Sequence, residues 1–470
     1  MKKRLLTVTA LLVGAAMAFT GCEKSAGGAA QSGGAQAKVP LSYLAWNLGT
    51  VEENNLERMR LAAFQEAHPE VQLSILEIPK NADGTSQSYQ DYMASLAAQA
   101  NLPDVYMQSS VPEQVGKGWA YNASSLTAND PDFQKVIPAF KEGARINGQV
   151  YGLPNQAHLF GMAINLSIFE ELNAPPLPFE YTVGDLRQAI ARVSTNKYKG
   201  IDNFGIEDWG AASIDPSLGF GTFNASGFHF TSPAYAEALG VIQDVVARGQ
   251  SGSGSFLPAA SWLPEGVTWP WGEGYIALQY EATWSLAGFV NGERPFKADL
   301  MPLPGGKVVL VPDFIFIGAN TKNPELAYEL AKWMGFGETG QKKMVELAKA
   351  GGKQMPGIPL APGAYPEVDA FFLQNYRGLT NFMKLYQMIT EKPESILIEG
   401  YKIVPGYDLA RFNADTGILG TVNGAQKSLT MGELITSIIR GERQLADYAG
   451  EMERIANAEW QKALQAAAGK

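Results

Sequence analysis

The chain has 470 residues, of which 46% are hydrophobic and 18% are charged, so it is long enough for two lobes and too apolar to be intrinsically disordered. Its formal net charge of −10 at pH 7 argues against a nucleic-acid-binding protein, because such proteins carry an excess of basic residues. It has one cysteine, which excludes an internal disulfide and a cysteine-based metal site.

Residues 1–21 are predicted to be a signal peptide. Basic residues at positions 2–4 precede an apolar stretch that is too short to span a membrane. Its end before Cys22 resembles the lipobox of bacterial lipoproteins, in which cleavage leaves a lipid-modified cysteine as the new N-terminus. Residues 22–38 are therefore predicted to be the lipidated Cys22 followed by a flexible tether of small and polar residues. An ordinary secretory signal with an incidental cysteine is the alternative.

Residues 41–110 alternate strand and helix patterns. LSYLAW at 41–46 predicts a strand, and apolar residues at helical spacing from Leu56 predict a helix that stops before Pro69. VQLSI then predicts a strand, residues 89–100 predict an amphipathic helix, and LPDVYMQSS predicts a buried strand that runs into a loop. The order β-α-β-α-β predicts an α/β fold.

Several turns and helix starts can also be read from the sequence. Asn147–Gly148 lies between two short apolar runs and predicts a hairpin turn. Thr182–Asp185 and Thr430–Glu433 have the spacing of capping boxes, and Asn323–Pro324 predicts a capped helix start. Residues 275–280 predict a strand that ends shortly before Trp284.

Five stretches together resemble the extracellular solute-binding proteins of bacterial ABC importers, in the carbohydrate-binding group that includes maltodextrin-binding proteins. They are FQEAHPEVQLSI, LAAQANLPDVYM, INGQVYGLPNQAHLFGMAINLSIFEELN, WGEGYIALQYEATW and DFIFIGANTKNPELAYELAKWM. They follow the family's order and approximate spacing. The fourth stretch departs from the family pattern at Ala282 and Thr283, and the third carries Ile164 where Tyr is usual, which affects ligand identity more than the fold.

The resemblance implies an α/β, two-lobed periplasmic-binding-protein-like fold of the class II type. Each lobe would be a mixed sheet flanked by helices, with the ligand cleft between the lobes. Lobe 1 is predicted to combine residues 39–155 with 315–385, and lobe 2 to combine 156–314 with 386–470.

Trp284 aligns with the tryptophan that stacks on sugar in the family. An indole face can cover the C–H face of a pyranose, whereas the alternative is a core tryptophan beneath a loop. Trp46 and Asn47 follow the first predicted strand, at the kind of strand end where α/β sheets bind ligands. Asn47 offers a donor and an acceptor for hydroxyls, although it also suits a simple turn.

Further ligand contacts are predicted at strand ends and loops. Gln108 and Ser109 follow the strand in DVYM, and His158 follows the Gly-Leu-Pro stretch, where a hinge role is the alternative. Trp209 lies in GIEDWGA, where an aromatic residue either binds a saccharide or packs a loop on the core, and Asp313 precedes FIFIGA near a presumed lobe crossing.

The sequence therefore predicts a receptor that captures a carbohydrate, with an oligosaccharide preferred, and delivers it to the transmembrane permease subunits of an ABC importer. We expect a monomer outside the cytoplasm that is anchored to the cell membrane by its N-terminal lipid. It would need no metal, no cofactor, no nucleic acid and no catalytic residue. A secreted glycan-degrading enzyme, or the same fold with a non-sugar solute, remains the alternative.

Overall fold

The computed structural model describes residues 37–81, 84–202, 205–252 and 262–468. The predicted signal peptide, Cys22 and most of the tether lie outside these residues. No helix among the described residues is long and apolar enough to cross a membrane.

The strands are listed here in chain order. They are β1 (Val39–Leu44), β2 (Val71–Ile75), β3 (Val105–Gln108), β4 (Arg145–Ile146), β5 (Gln149–Val150), β6 (Gly152–Asn165), β7 (Lys199–Asp202), β8 (Phe223–Asn224), β9 (Gly227–Phe228), β10 (Ile276–Ala282), β11 (Ala298–Met301), β12 (Val308–Ile317), β13 (Ile396–Ile398), β14 (Asp415–Val422) and β15 (Ala425–Thr430).

The α-helices follow in the same way. They are α1 (Leu56–Ala67), α2 (Tyr89–Ala98), α3 (Val111–Gly116), α4 (Ser124–Thr127), α5 (Pro131–Lys135), α6 (Pro138–Gly143), α7 (Leu166–Glu171), α8 (Val183–Val193), α9 (Ile206–Ile214), α10 (Pro233–Ala247), α11 (Leu286–Val290), α12 (Pro324–Met334), α13 (Glu338–Gly351), α14 (Pro366–Gln374), α15 (Thr380–Glu391), α16 (Gly400–Ile403), α17 (Met431–Ile439) and α18 (Leu445–Ala468).

A mixed sheet forms the centre of the fold, with strand order β2-β1-β3-β12-β6-β10-β7. β1 pairs in parallel with β2 and β3, while β12 is antiparallel to both β3 and β6. β10 is antiparallel to β6 and parallel to β7. This mixed α/β architecture confirms the predicted fold class.

The buried apolar residues form two cores. The first core includes Phe64 of α1, Met107 of β3 and Phe382 of α15, and the second includes Trp209 of α9, Leu239 of α10 and Leu434 of α17. Both cores draw residues from β6 and β12, so these two strands link them. Two cores joined by shared strands fit a two-lobed protein.

The pairing of β6 with β12 is interrupted near its middle. Its register shifts between Asp313, which is opposite Gln156, and Phe314, which is opposite Pro154. Pro312 of β12, next to the shift, is opposite Ala157. Because proline has no backbone N–H, the ladder is weak on both sides of this bulge.

The structure agrees with the predicted capping boxes and hairpin turn, and with the predicted start of α12 except for its cap. Thr182 and Thr430 each form a capping box with the acidic residue three positions later, as predicted. Asn147–Gly148 turns between β4 and β5 with positive φ at both residues, which is the geometry that a tight hairpin requires. α12 begins at Pro324 as predicted, but the Asn323 side chain makes no capping hydrogen bond.

Candidate ligand-binding site

Trp284 is a half-exposed tryptophan at the end of β10. It lies in a one-turn 3-10 helix, Thr283–Ser285, and 52% of it is exposed. His158 and Phe160 of β6 approach its ring edge-to-face, with centroid distances of 5.2 and 5.0 Å. Phe160 in turn stacks on Tyr280 at 4.4 Å. These contacts hold the indole in place and leave much of its surface open to a ligand.

His158 is a buried residue that supports this aromatic cluster. Its Nδ1 lies 3.2 Å from Thr283 Oγ1, and its Nε2 lies 2.9 Å from Gln156 Nε2. Since an amide nitrogen can only donate, Nε2 is the acceptor and the ring is neutral with its proton on Nδ1. Burial lowers the pKa of His158 to about 4, with a smaller opposing effect of Asp313.

The same Thr283 hydroxyl also accepts a hydrogen bond of 3.1 Å from the backbone N–H of Leu159. Thr283 therefore ties the turn that carries Trp284 to the strand that carries His158. The sequence departure at this position has a structural role, because the hydroxyl connects two of the elements that build the site.

Trp46 and Asn47 follow β1, as predicted. Trp46 is 39% exposed, and its ring meets the Tyr89 ring edge-to-face at 5.6 Å. Asn47 is half-buried, and its Oδ1 is buried without a hydrogen-bond partner in the described structure. Its backbone carbonyl accepts from Asn55 Nδ2 at 2.8 Å, so the residue also has the turn role that the sequence left open.

Ser109 and Gln108 differ in what they offer to a ligand. Ser109 is half-buried and lines a cavity of about 590 Å³. Gln108 is 1% exposed, and its amide exchanges hydrogen bonds of 3.1 and 3.2 Å with Gln90. Gln108, which was predicted to contact a ligand, therefore exposes almost no surface in this structure, because its side chain is buried and bonded to Gln90.

Trp209 is likewise placed in the interior. It is 0% exposed within α9 and belongs to the second core, where its ring lies 6.4 Å from that of Tyr280. It therefore acts here as a packing residue, which was the alternative interpretation of its loop-like sequence context. The three-residue spacing of Ile206 and Trp209, both buried on α9, is a signal that could have indicated burial.

Asp313 lies at the bulge of β12 and is bound by the C-terminal part of the chain. Its carboxylate accepts from Lys402 Nζ at 2.9 Å, and the Lys402 side chain is only 4% exposed. Glu399 lies 3.8 Å from the same ammonium group. Burial raises the pKa of Glu399, and Lys402 offsets this effect only in part.

A second set of paired charges lies at the first turn of α9. Arg411, which is 1% exposed, donates to Asp208 Oδ1 at 2.9 Å and to the Glu207 carbonyl at 3.0 Å. Burial raises the pKa of both Glu207 and Asp208, and the Asp208 charge raises that of Glu207 further. Burial alone would lower the pKa of Arg411, but the Asp208 charge raises it above its usual value.

Electrostatic contacts connect these groups to the aromatic cluster. The pKa of Tyr280 is raised first by burial and then by the charges of Glu399, Asp208 and Glu207. The sequence analysis missed Glu207, Asp208, Glu399 and Lys402, because single charged residues in a helix turn carry no distinguishing pattern. Of these four, Lys402 acts electrostatically, together with Asp313, on His158, whose ring contacts Trp284.

The cavity beside Ser109 is lined by segments that are far apart in the sequence. The α3 segment lines one side, and residues 401–409 with the end of α18 line the other. Ser110 Oγ donates to the Tyr401 carbonyl across it at 3.3 Å. A separate cavity of about 470 Å³, next to Tyr181 and Lys307, contains none of the predicted site residues.

Two further tryptophans from the loop before β10 pack against Arg294. Trp269 is 54% exposed and stacks on the Arg294 guanidinium at 4.6 Å, whereas Trp271 is fully buried. Trp269 therefore matches Trp284 in exposure but has different neighbours.

The family model described as bacterial extracellular solute-binding protein matches residues 61–369 of the chain. No curated protein matches it in sequence.

Solved structures share its fold. An ABC substrate-binding protein from Listeria monocytogenes in complex with cycloalternan aligns at a TM-score of 0.62 and 15% identity, covering 90% of this chain and 98% of that one. A sugar transporter from Rhizobium etli in an open conformation aligns at 0.65 and 15%, covering 89% and 99%. The cyclic alpha-maltosyl-1,6-maltose binding protein from Arthrobacter globiformis aligns at 0.64 and 16%, covering 91% and 100%.

Proposed function

The chain belongs to the bacterial extracellular solute-binding proteins, and we propose that it is the receptor of an ABC importer that captures a carbohydrate, preferably an oligosaccharide. The observation that carries the proposal is Trp284. A half-exposed indole, in T-shaped contact with two other rings, offers the flat apolar surface that suits the C–H face of a sugar ring.

Partly exposed polar groups would supply the other half of such a site. Asp208 and Asp313 are partly exposed carboxylates whose positions are fixed by ion pairs, and Ser109 adds a hydroxyl that lines a cavity. Fixed carboxylates accept hydrogen bonds from hydroxyl groups and so can discriminate between sugars whose hydroxyls point in different directions. One structure with this fold is in complex with cycloalternan, and another is named as a cyclic alpha-maltosyl-1,6-maltose binding protein, which supports the ligand class.

Ligand capture would work by hinge closure. A ligand that touches both lobes binds the closed form better and so shifts the balance between open and closed forms. The site residues come from both sides of the crossing strands β6 and β12, which supports this mode of action. The lobe boundaries at 155/156, 314/315 and 385/386 remain a prediction.

The protein acts outside the cytoplasm, as its family implies. We further propose that Cys22 carries the lipid that holds it at the cell membrane, and that it works as a monomer with the permease subunits. Cys22→Ala should move the protein from the membrane fraction to the soluble fraction. Unchanged membrane attachment of the variant would contradict the lipid anchor.

A thermal-shift screen with mono- and oligosaccharides tests the proposal, because a ligand that binds only the folded state raises the apparent melting temperature. Positive sugars should then be incubated with the protein and analysed for cleavage. Binding without cleavage is expected of a receptor. Turnover would favour the glycan-degrading alternative, and stabilisation by amino acids or peptides alone would favour a non-sugar solute.

A further inference from the structure

A small cavity lies where β6 passes α1 and α13, next to the bulge between β6 and β12. Its lining includes Arg60 of α1, Asn155 and Gln156 of β6 and Gln341 of α13, and the loop between α13 and α14 completes it. The centre of a water-sized sphere can move through about 20 Å³ of this cavity, and roughly 10–15 Å³ of such space holds one water molecule. The cavity therefore has the right size for one water molecule and is too small for a sugar ring.

Two side chains in this lining each have a buried polar atom without a partner. Arg60 is 3% exposed, and its Nε makes no hydrogen bond to any residue that the structure describes. Asn155 is 8% exposed, and its Oδ1 makes none within the same ranges. An unpaired polar atom inside a protein is costly, and more so on a charged group, so we expect both atoms to have a partner.

The other nitrogen atoms of Arg60 are already held in place. Nη2 donates to the carbonyls of Trp333 and Met334 at the end of α12, at 2.9 and 2.5 Å, and Nη1 lies 3.9 Å from Glu57 Oε2. Because the guanidinium is planar, it cannot turn Nε toward a distant acceptor without breaking these contacts. The acceptor for Nε therefore has to come from the cavity that Arg60 lines.

The strand on the other side of the cavity is also tightly packed. A Cβ atom at Gly335, just after α12, would lie 2.1 Å from the Pro154 carbonyl oxygen, and one at Gly357 would lie 2.5 Å from the Ala157 carbonyl oxygen. Both glycines therefore let the backbone of a neighbouring segment lie directly against β6. Asn155 lies between these two contacts, which keep this part of the strand from shifting to bring Oδ1 to a different donor.

The two unpaired atoms distinguish water from other small occupants. The N–H of Arg60 needs an acceptor and Asn155 Oδ1 needs a donor, and a single water molecule supplies both. A metal cation cannot accept from the N–H, and a halide ion cannot donate to Oδ1. Cavities that stay dry are lined by apolar groups, whereas this lining includes a guanidinium and several amide side chains.

We propose that the cavity binds one ordered water molecule, which accepts a hydrogen bond from Arg60 Nε and donates one to Asn155 Oδ1. Such a bridge is nearly as favourable as a direct hydrogen bond. It would fasten β6 to α1 and, through Arg60, to the end of α12, at the point where the ladder between β6 and β12 is weak. Asn155 would therefore stay with the first core when the two halves of β6 move. This role holds for any solute that the protein binds.

High-resolution crystal structures of the native protein and of two variants test the site. The native map should show a water molecule at about 2.7–3.2 Å from both Arg60 Nε and Asn155 Oδ1. Asn155→Leu has nearly the same size without a polar atom, so it should remove this water. Met344→Leu changes the apolar wall of the same cavity at nearly constant volume and should keep it. A native map without water at this position, or with Arg60 Nε bonded directly to Asn155, would overturn the site even if neither variant folds.

Hydrogen exchange tests the role of the water in the strand. In Asn155→Leu the amides of residues 155–158 should exchange several-fold faster than in the native protein, while those of β10 keep their native rates. Met344→Leu should match the native protein at both places. Native rates at residues 155–158 in Asn155→Leu would mean that the water does not fasten the strand. Equal acceleration in β10 would mean a general loss of stability, and either result would overturn this role.

Discussion

Replacing Trp284 by alanine tests the centre of the proposed site. A tryptophan side chain contributes roughly 200 Å² of surface, and 52% of Trp284 is exposed, so a sugar lying on it would cover about 100 Å². At about 25 cal/mol per Å² this burial contributes about 2.5 kcal/mol, and ring geometry adds about 0.5–1 kcal/mol. The variant should therefore lose about 3 kcal/mol of binding free energy, or about a hundredfold in affinity.

The same change should affect folding much less. The buried part of Trp284 makes T-shaped contacts with His158 and Phe160, and Trp284 belongs to neither core. We expect the free energy of unfolding to fall by about 1–2 kcal/mol, so the variant stays folded. Calorimetry with a sugar found in the thermal-shift screen, together with urea unfolding, measures both quantities.

Trp269→Ala is the matched control. Trp269 is 54% exposed, and it stacks on Arg294 instead of on the ring cluster of β6. Its removal should leave affinity within about threefold of the native value. Unchanged affinity in Trp284→Ala, or an equal loss in the two variants, would refute the assignment of the sugar to the Trp284 surface.

Three further predictions concern the groups that support the site. The pKa of His158 is about 4 in the folded protein and 6.5 ordinarily, so the unfolded chain takes up a proton at a higher pH than the folded protein does. Between pH 6.5 and 4 the native protein should therefore lose about 3 kcal/mol more stability than the His158→Gln variant. Urea unfolding at several pH values measures this difference. Asp313→Asn leaves the buried Lys402 ammonium without its closest partner and should cost about 3 kcal/mol, while the double variant with Lys402→Met should recover part of this loss, which a double-mutant cycle would show. Thr283→Val removes the acceptor for His158 and for the Leu159 N–H, and it should lower both stability, by about 1–2 kcal/mol, and sugar affinity.

Each of the three has an outcome that would contradict it. The His158 prediction fails if the native protein and the variant show the same change in stability with pH. The ion-pair prediction fails if Asp313→Asn is as stable as the native protein. The Thr283 prediction fails if the variant keeps native stability, which would mean that the hydroxyl does not hold the turn.

Local signals predicted most of the fold because they act over a few residues. The capping boxes at Thr182 and Thr430 and the hairpin at Asn147–Gly148 depend on side chains and φ values within one turn. Strand ends were harder to predict. The first strand was predicted at 41–46 and lies at Val39–Leu44, because the apolar Ala45 and Trp46 continue the strand-like pattern beyond the last paired residue. Asn323 precedes a helix without capping it.

The site was harder to predict than the fold, because its parts meet only through tertiary structure. The family resemblance indicated Trp284, and its exposure is consistent with the predicted role. The resemblance gave no information on whether Trp209 and Gln108 face the ligand or the interior. The pairing of Lys402 with Asp313 joins positions 89 residues apart, and no sequence pattern anticipates such a contact.

The bulge at Asp313 has a mechanical consequence. Since Pro154 and Pro312 lack backbone N–H groups, β6 and β12 form two short ladders with a weakly bonded stretch between them. Each ladder can rotate as a unit around that stretch while its own hydrogen bonds remain intact. Movement between the two halves would therefore need little local unfolding, and the amides of residues 155–158 should exchange with solvent faster than those on either side.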